Sequence, residues 1–333
     1  MGFSWGTMKR LVTTLSWIFV LIAAWLVLAC PAGHAAATNP AIDRIIAQVK
    51  VPPDWLAAVP VQWDVNRPWK EGRLEIRRLL ALDEAANRQA VKLTWLYAQK
   101  GDIGDGHELP MYLFMSGNYA WALKEYSTFV PRQRGKGATH AYMCYASCLS
   151  HFGDHAGAIK VLEEALQDLP TPPWAINSQA NVHHMMGDLY VRLGDIAKAR
   201  QHYAEARRLY PLSNQPYGRH LLPRKVAQIQ AKERMLVMGP LKDQALRDGT
   251  YQGRATGYSD QAEIVVTATV QQGRLSRLDV AHQEKIDLGA TRIIPQRIVE
   301  QQSLKVDGIT GATITTDAVV EATYRALLQA GLK

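Results

Sequence analysis

An internal repeat is the feature that most restricts how this chain can fold. Three segments share one frame, in which Ala lies five residues after a Gly and a large side chain lies nine residues after it. The frame occurs three times: GNYAWALKEY from Gly117, GDHAGAIKVL from Gly153 and GDIAKARQHY from Gly194. Units of this kind bury their apolar faces only by stacking on one another. We therefore expect an all-α array of helix–turn–helix units over residues 71–214.

The frame resembles the tetratricopeptide repeat. The small position is filled by Ala122, Ala158 and Ala199, and the large one by Tyr126, Leu162 and Tyr203. A small residue lets paired helices approach, and a large one packs into the neighbouring helix. We expect each Gly to end the first helix of its unit in the left-handed conformation. Such arrays are generic scaffolds, and their concave face is the expected docking surface for a protein partner.

The N-terminus has the pattern of an export signal. Two basic residues precede an apolar run over residues 11–29, and the small-residue stretch PAGHAAA follows. This pattern predicts a signal over residues 1–37, cleaved after Ala35 or Ala37. Two alternatives stay open: lipidation at Cys30, and retention of the apolar run as a membrane anchor. All three predict an extracytoplasmic (periplasmic) protein, and the last two add membrane association through the N-terminus.

A Trp- and Pro-rich arm, residues 38–70, separates this signal from the repeats. It contains VPPDWLAAVPVQWDVNRPW, and Pro at this density prevents a long helix. We expect the arm to pack through its aromatic side chains. An aromatic binding patch is the alternative.

Of the net charge of +8, +6 lies in residues 207–245 and +2 in the signal. Within this stretch, residues 215–245 are predicted to form a basic connector helix that caps the array. Its charge indicates a solvated helix face or a surface for an acidic partner. The basic residues are not interleaved with aromatic residues, so the sequence does not favour a nucleic-acid partner.

The two cysteines beyond the signal, Cys144 and Cys148, lie four residues apart in a helical pattern. We interpret them as small core residues on one helix face. A strained disulfide, or a metal site with His151 and His155, is the alternative. The absence of a Cys-x-x-Cys-His run excludes attached c-type haem. Three other histidines lack metal-ligand spacing and are interpreted as surface or core residues, so no metal site is predicted: His107, His183 and His184.

The periodicity changes near residue 246. Alternating β-branched residues in AEIVVTATVQQGRLSRLDVAHQ, with a turn at Gly273, predict a β-hairpin. A helix through TRIIPQRIVEQQ and a last helix from about Thr316 to Ala330 complete a small α+β domain over residues 246–333. The predicted fold is therefore multidomain, an all-α tetratricopeptide-type repeat array followed by a small α+β domain.

The stretch VDGITGATITT lies at the start of this last helix. An Asp-Gly turn and a helix with a single Thr N-cap would account for only part of it, with Thr316 as a good cap. Gly311 and Ala312 additionally permit close approach of a bulky ligand. The helix N-terminus favours a phosphate. The sequence therefore favours ligand binding over a plain turn and cap.

The C-terminal segment from DGTYQG onward resembles the FMN-binding domain family. That family includes the flavin-bearing C and G subunits of the sodium-translocating NADH:quinone reductase and of the Rnf complex. Shared features are DGTYQG, the hairpin with QQGRL, and DGITGAT, which matches the motif Asp-x-x-Ser/Thr-Gly-Ala-Ser/Thr. The resemblance implies FMN as cofactor and an exported flavin transferase as partner. It implies that this transferase joins FMN by a phosphoester to the hydroxyl of Thr313.

The resemblance also implies roles around the acceptor. Asp307, with Gly308 in its turn, would be a recognition residue for the transferase, and Gly311 and Ala312 would keep the acceptor exposed. Hydrogen bonds to the phosphate would come from Thr310, with Thr315 or Thr316 as further donors. A polar run further upstream fits either a solvated turn or contact with the flavin edge: His282, Glu284, Lys285 and Asp287.

These features favour an extracytoplasmic flavoprotein that transfers electrons and docks a redox protein through its repeats. Two alternatives are an assembly scaffold with an accessory or non-covalent flavin, and an oxidoreductase with its own small substrate. The sequence has no nicotinamide-binding fingerprint and no catalytic triad, and it assigns no catalytic residue. An electron-transfer flavoprotein is therefore favoured over a stand-alone enzyme.

Overall fold

The computed structural model describes residues 39–104, 106–259, 261–284, 287–309 and 312–333 of the chain. The predicted signal and two residues of the DGITGAT motif, Thr310 and Gly311, lie outside these described residues. Among the described residues, none of the helices has the length and apolar character needed to span a membrane.

As far as residue 235, the regular elements of the described chain are all helices. We number them in chain order as α1 (Pro40–Gln48), α2 (Trp55–Ala58), α3 (Trp69–Leu80), α4 (Glu84–Lys100), α5 (Glu108–Met115), α6 (Tyr119–Phe129), α7 (Thr139–His151), α8 (His155–Gln167), α9 (Ala175–Arg192), α10 (Ile196–Leu209) and α11 (Leu222–Met235). Four helical hairpins follow one another, α3–α4, α5–α6, α7–α8 and α9–α10, and each packs on the next. The predicted array of helix–turn–helix units is confirmed.

The turns of the hairpins have the expected backbone. Gly117, Gly153 and Gly194 all have φ between 75° and 83°. In the last two hairpins the next residue is an Asp that caps the second helix, and its carboxylate accepts from a backbone N–H at about 3.0 Å. The small and large positions of the frame are all buried. The local repeat is therefore sufficient to build the turn, the cap and the helix contact.

Close packing in two hairpins depends on a Gly of the first helix. An ideal Cβ at Gly187 would lie 2.4 Å from the ring of Tyr203, and one at Gly72 would lie 2.3 Å from the ring of Tyr97. The hairpin α3–α4 thus uses the same Gly–Tyr contact as α9–α10, although it does not carry the full repeat frame. The Trp-rich arm packs here as expected, since Trp63 Nε1 donates to Tyr97 Oη at 2.9 Å.

The C-terminal domain is a three-stranded antiparallel sheet with two helices. Its elements are β1 (Gly249–Ala255), β2 (Ile264–Gln271), β3 (Arg274–Ala281), α12 (Ala290–Gln301) and α13 (Thr313–Gln329). The strand order is β1-β2-β3, with Gly253 paired to Val266 and Val266 to Val280. Helix α13 packs on β1 and β2, while α12 packs on β3. The predicted small α+β unit after a helical array is confirmed.

Residues of DGTYQG have structural roles in this domain. The carboxylate of Asp248 accepts from the backbone N–H groups of Gln272 and Gly273 at 2.9 and 2.8 Å, which closes the β2–β3 turn at its predicted position. Gly253 lets α13 approach β1, because an ideal Cβ there would lie 1.9 Å from the carbonyl oxygen of Ala322. These two residues fix the sheet under α13.

Helix α11 belongs to two cores at once. Ile229 and Leu222 pack with the last repeat. Ala231 and Met235 pack instead with the sheet domain, together with Met238 from the segment that follows. The helix therefore joins the array to the domain, in addition to the predicted role of a connector that caps the array.

Candidate functional site

A cavity of about 570 Å³ lies between the repeat array and the C-terminal domain. Helices α5, α7 and α9, each the first helix of its hairpin, line one side. The start of α13 and the loop before it, around Asp307 and Gly308, line the other. The cavity has the volume of a typical small-molecule site.

The predicted acceptor, Thr313, lies on this cavity. It is the first residue of α13 and is exposed, while Ala312 at the N-cap is buried. The helix begins three residues earlier than predicted, so Thr316 is not its cap. Among the described residues, no side-chain cap hydrogen bond is made at the N-cap of α13. A helix end without a side-chain cap keeps backbone N–H groups and a positive dipole end for an anion.

The next two hydroxyls of the motif are used inside the domain. Thr315 Oγ1 donates to Glu284 Oε2 at 2.6 Å, and Thr316 Oγ1 accepts from the N–H of Ile309 at 3.2 Å. The two Thr residues are only 1% and 2% exposed. Thr316 anchors the loop before α13, and Thr315 anchors the start of α13 to the segment after β3, so we assign neither to the phosphate.

Glu284 also corrects the sequence interpretation. It accepts from the N–H groups of Tyr258 and Ser259 at 3.0 Å in addition to the Thr315 hydroxyl. It therefore anchors the Tyr258–Ser259 loop to the start of α13, a structural role that the sequence did not indicate. Lys285, from the same polar run, lies outside the described residues.

Asp307 connects the motif loop to the array. Its Oδ1 lies 2.6 Å from Nη2 of Arg192 at the end of α9. Its carbonyl oxygen accepts from Nη1 of Arg297 at 2.6 Å, and Nη2 of that Arg lies 3.4 Å from the hydroxyl of Tyr119 in α6. The loop before the acceptor is thus held from two directions.

The wall contributed by the array combines an apolar group of side chains with polar ones such as Ser147, Ser150 and Asn181. Its side chains include four methionines, whose flexible, polarisable side chains adapt to flat ligands. These apolar lining residues are Met111, Phe114, Met115, Met143, Met185 and Leu189. An aromatic ring system would therefore have its matching surface on the side opposite α13.

Ion pairs among residues that line the cavity join α11 to both units. Lys232 Nζ lies 2.9 Å from Asp188 Oδ2 in α9 and 2.9 Å from Asp317 Oδ1 in α13. Burial alone would lower the pKa of Lys232, but the two carboxylates outweigh burial and raise it. Burial raises the pKa of Asp317 to about 6, despite the opposing effect of Lys232. A buried Lys with two carboxylate partners holds the units in one register.

This arrangement corrects the predicted role of the basic connector. Lys232 is buried in ion pairs, and Lys225 Nζ donates to Asn181 Oδ1 at 2.6 Å. Arg224 Nη1 donates to the carbonyl oxygens of Gly257 and Tyr258 at 2.9 and 2.8 Å. Much of the connector charge thus has partners within the chain, and only the remaining basic residues can serve a solvated face.

A second group of side chains was not found from the sequence. His107, just before α5, approaches His140 and Cys144 on α7, so that one ligand atom from each lies within 4.8 Å of the others. The sequence did not indicate this cluster, because the two histidines are 33 residues apart in the chain. The alternative partners, His151 and His155, are not in it. Cys144 and Cys148 are both free and buried, as the core interpretation predicted.

The cavity has the features that a phosphorylated flavin requires. The start of α13, with the exposed Thr313 hydroxyl, suits a phosphate. The methionine-rich wall across the cavity suits a planar ring system, and the volume of about 570 Å³ admits a ligand of that size. The residues present therefore fit FMN.

Two family models match the chain. Residues 257–328 match the FMN-binding domain, and residues 180–213 match the tetratricopeptide repeat. The first match contains Asp307 and Thr313, and the second contains most of α9 and all of α10. The predicted order of the two regions is confirmed. The chain therefore carries an FMN-binding domain, with FMN as its cofactor, C-terminal to a region of tetratricopeptide repeats that indicates protein–protein interaction.

Proposed function

We propose that this protein carries FMN covalently on Thr313 and transfers electrons outside the cytoplasm. The observation that supports attachment best is the position of Thr313, an exposed hydroxyl at the start of a long helix, beside the cavity. The DGITGAT motif supports the same residue. The apolar run and the small-residue stretch at the N-terminus support export.

The attachment reaction uses FAD as donor and a flavin transferase as catalyst. The Thr313 oxygen forms a new bond to the FMN-side phosphorus, the bond from that phosphorus to the AMP oxygen breaks, and AMP leaves. The hydroxyl proton passes to a base of the transferase and then to water. No oxidant or reductant is consumed.

The residues of this chain bind and orient the cofactor. The start of α13 would hold the phosphate. Gly308 lets the preceding loop pack closely on α13, because an ideal Cβ there would lie 3.2 Å from the side chain of Thr316. Arg192 and Arg297 hold the loop around Asp307 from the array side. FMN itself supplies one- and two-electron chemistry. Covalent attachment prevents loss by dilution outside the cytoplasm.

The redox partner approaches a surface that the FMN-binding domain does not cover. The first helices of three hairpins already face the chain's own domain across the cavity. The expected docking on the concave face is therefore limited to the part that remains open. An electron carrier needs only an exposed flavin edge there, whereas an enzyme would also need catalytic groups for its substrate.

The test is co-expression with a flavin transferase, followed by a denaturing gel and intact mass. Wild type should fluoresce on the gel and gain one FMN, with fragmentation placing it on Thr313. The Thr313→Val variant keeps the β-branched shape and should fold without retaining flavin through denaturation. Thr323→Val, which removes a hydroxyl from the same helix at a residue that does not line the cavity, is the matched control. Equal covalent flavin in wild type and Thr313→Val would overturn the attachment site.

A further inference from the structure

The cluster of His107, His140 and Cys144 lies where the second hairpin meets the third. His107 Nε2 is 2.8 Å from His140 Nδ1, and Cys144 Sγ is 3.9 Å from His140 Nε2. His140 also lines the cavity. Three side chains with metal-binding atoms thus converge beside the site without taking part in the proposed cofactor binding.

The ligand types and their placement suit a transition metal. His140 and Cys144 are four residues apart on α7, so they share one helix face and form a two-residue chelate. His107 supplies a third ligand from another hairpin. Two imidazole nitrogens and one thiolate match the ligands that Zn²⁺ takes in proteins.

The distances allow coordination after small side-chain rotations. Zn–N bonds of about 2.0–2.1 Å and a Zn–S bond of about 2.3 Å place tetrahedral ligand atoms roughly 3.3–3.6 Å apart. The present separations are at most 4.8 Å. His140 is exposed and has room to turn, while Cys144 is only 1% exposed and is fixed by its helix.

We propose that His107, His140 and Cys144 bind a zinc-class divalent cation, with a fourth coordination position open to water from the cavity. Binding replaces the thiol proton of Cys144, which passes to solvent. The cation would join the turn before α5 to α7 and so fix two successive hairpins against each other. This proposal does not depend on covalent flavin or on electron transfer.

The test uses the full mature chain, reduced with a phosphine, and Co²⁺ as a spectroscopic probe. One equivalent of Co²⁺ should bind and give a thiolate-to-cobalt charge-transfer band, which Zn²⁺ then displaces. Cys144→Ser should abolish the band and weaken Zn²⁺ binding by about tenfold or more, in line with loss of a metal ligand. Cys148→Ser is the matched control, since Cys148 is buried on the same helix but lies outside the cluster.

Two further variants keep the test decisive if Cys144→Ser folds poorly. His140→Gln alters an exposed ligand and should also weaken binding and change the cobalt spectrum. His202→Gln alters the His183–His202 pair, whose nitrogens lie 2.9 Å apart in another hairpin, and should change neither. Cobalt binding without a thiolate band, binding that His202→Gln alone removes, or no binding at one equivalent would each overturn the proposal.

Discussion

At the scale of single residues, Asp307 has two candidate roles that its motif cannot separate. The family resemblance implies recognition by a flavin transferase, while the structure shows an ion pair with Arg192 at 2.6 Å. In both roles, substitution of Asp307 would slow the loading of flavin. They differ in what happens when Arg192 is changed instead.

We expect Asp307→Asn to lower the initial rate of covalent flavin loading by roughly tenfold or more, the effect of losing about 1.4 kcal/mol of transition-state binding. Arg192→Gln removes the same ion pair but keeps the carboxylate, so it should load at nearly the wild-type rate. Flavin fluorescence per protein on denaturing gels, followed over time, measures both. An equal loss in the two variants would show that Asp307 acts through the ion pair.

His184 predicts how the stability of the protein depends on pH. Burial and then Lys232 lower the pKa of its imidazole to about 3. Its Nε2 lies 3.1 Å from Lys232 Nζ, and its Nδ1 lies 3.3 Å from Tyr210 Oη, an arrangement that suits the neutral ring. The unfolded chain binds this proton near pH 6.5, but the folded chain does not bind it until pH 3.

Stability must therefore fall as pH drops through this window, by about 2 kcal/mol at pH 5 from His184 alone. Asp317 opposes this change, since its pKa is raised to about 6 and its folded form gains a proton there. His184→Gln should remove the His184 contribution and leave that of Asp317. Urea unfolding at pH 7 and pH 5 would measure the difference, and an unchanged pH dependence in the variant would contradict this role.

At the scale of elements, the repeats could be predicted because their information is local. One Gly, one Ala and one large residue within ten positions determine the turn and the contact in the three hairpins that carry the frame. The β2–β3 turn at Gly273 could be predicted for the same reason, since its signal lies in neighbouring residues. The start of α13 was not, because its Thr residues all resemble caps in sequence. The backbone shows that the helix begins at Thr313, and the hydroxyls of Thr315 and Thr316 are used in tertiary hydrogen bonds.

Gly253 tests the contact between β1 and α13. An ideal Cβ there would lie 1.9 Å from the backbone oxygen of Ala322, so Gly253→Ala must displace a helix and not merely a side chain. We expect the free energy of unfolding to fall by roughly 1–3 kcal/mol or more, with weaker flavin retention. Gly239→Ala is the control, because the nearest atom to its Cβ is 3.8 Å away. Thermal unfolding with equal midpoints for the two variants would refute this close packing.

At the scale of the whole molecule, the contacts between the units were the part that the sequence could not predict. Lys232 pairs with Asp317, 85 positions away, and His107 contacts His140, 33 positions away. Neither pairing leaves a periodic or motif signal. The same reason explains why the basic connector suggested an external acidic partner: its partners are within the chain, but distant in sequence.

Because α11 packs on both units, a fragment of the FMN-binding domain that folds alone should begin earlier in the chain than the sequence predicts. A boundary near residue 245 follows from the sequence, but Ala231, Met235 and Met238 lie in the core of the domain. In addition, Gln228 Nε2 donates to the carbonyl oxygen of Ile314 at 2.8 Å, directly after the acceptor. A fragment without α11 exposes this apolar surface and frees the start of α13.

We expect a fragment of residues 222–333 to be more stable than one of residues 246–333 by several kcal/mol, since burial of each Met contributes about 1.5–3 kcal/mol. The longer fragment also exposes the side of α11 that packs on the last repeat, so it should be less stable than the full chain. Met235→Ala in the longer fragment should move its unfolding midpoint toward that of the shorter one. Urea unfolding followed by circular dichroism measures all three. Equal midpoints for the two fragments would mean that α11 belongs to the array alone and that the domain begins where the sequence places it.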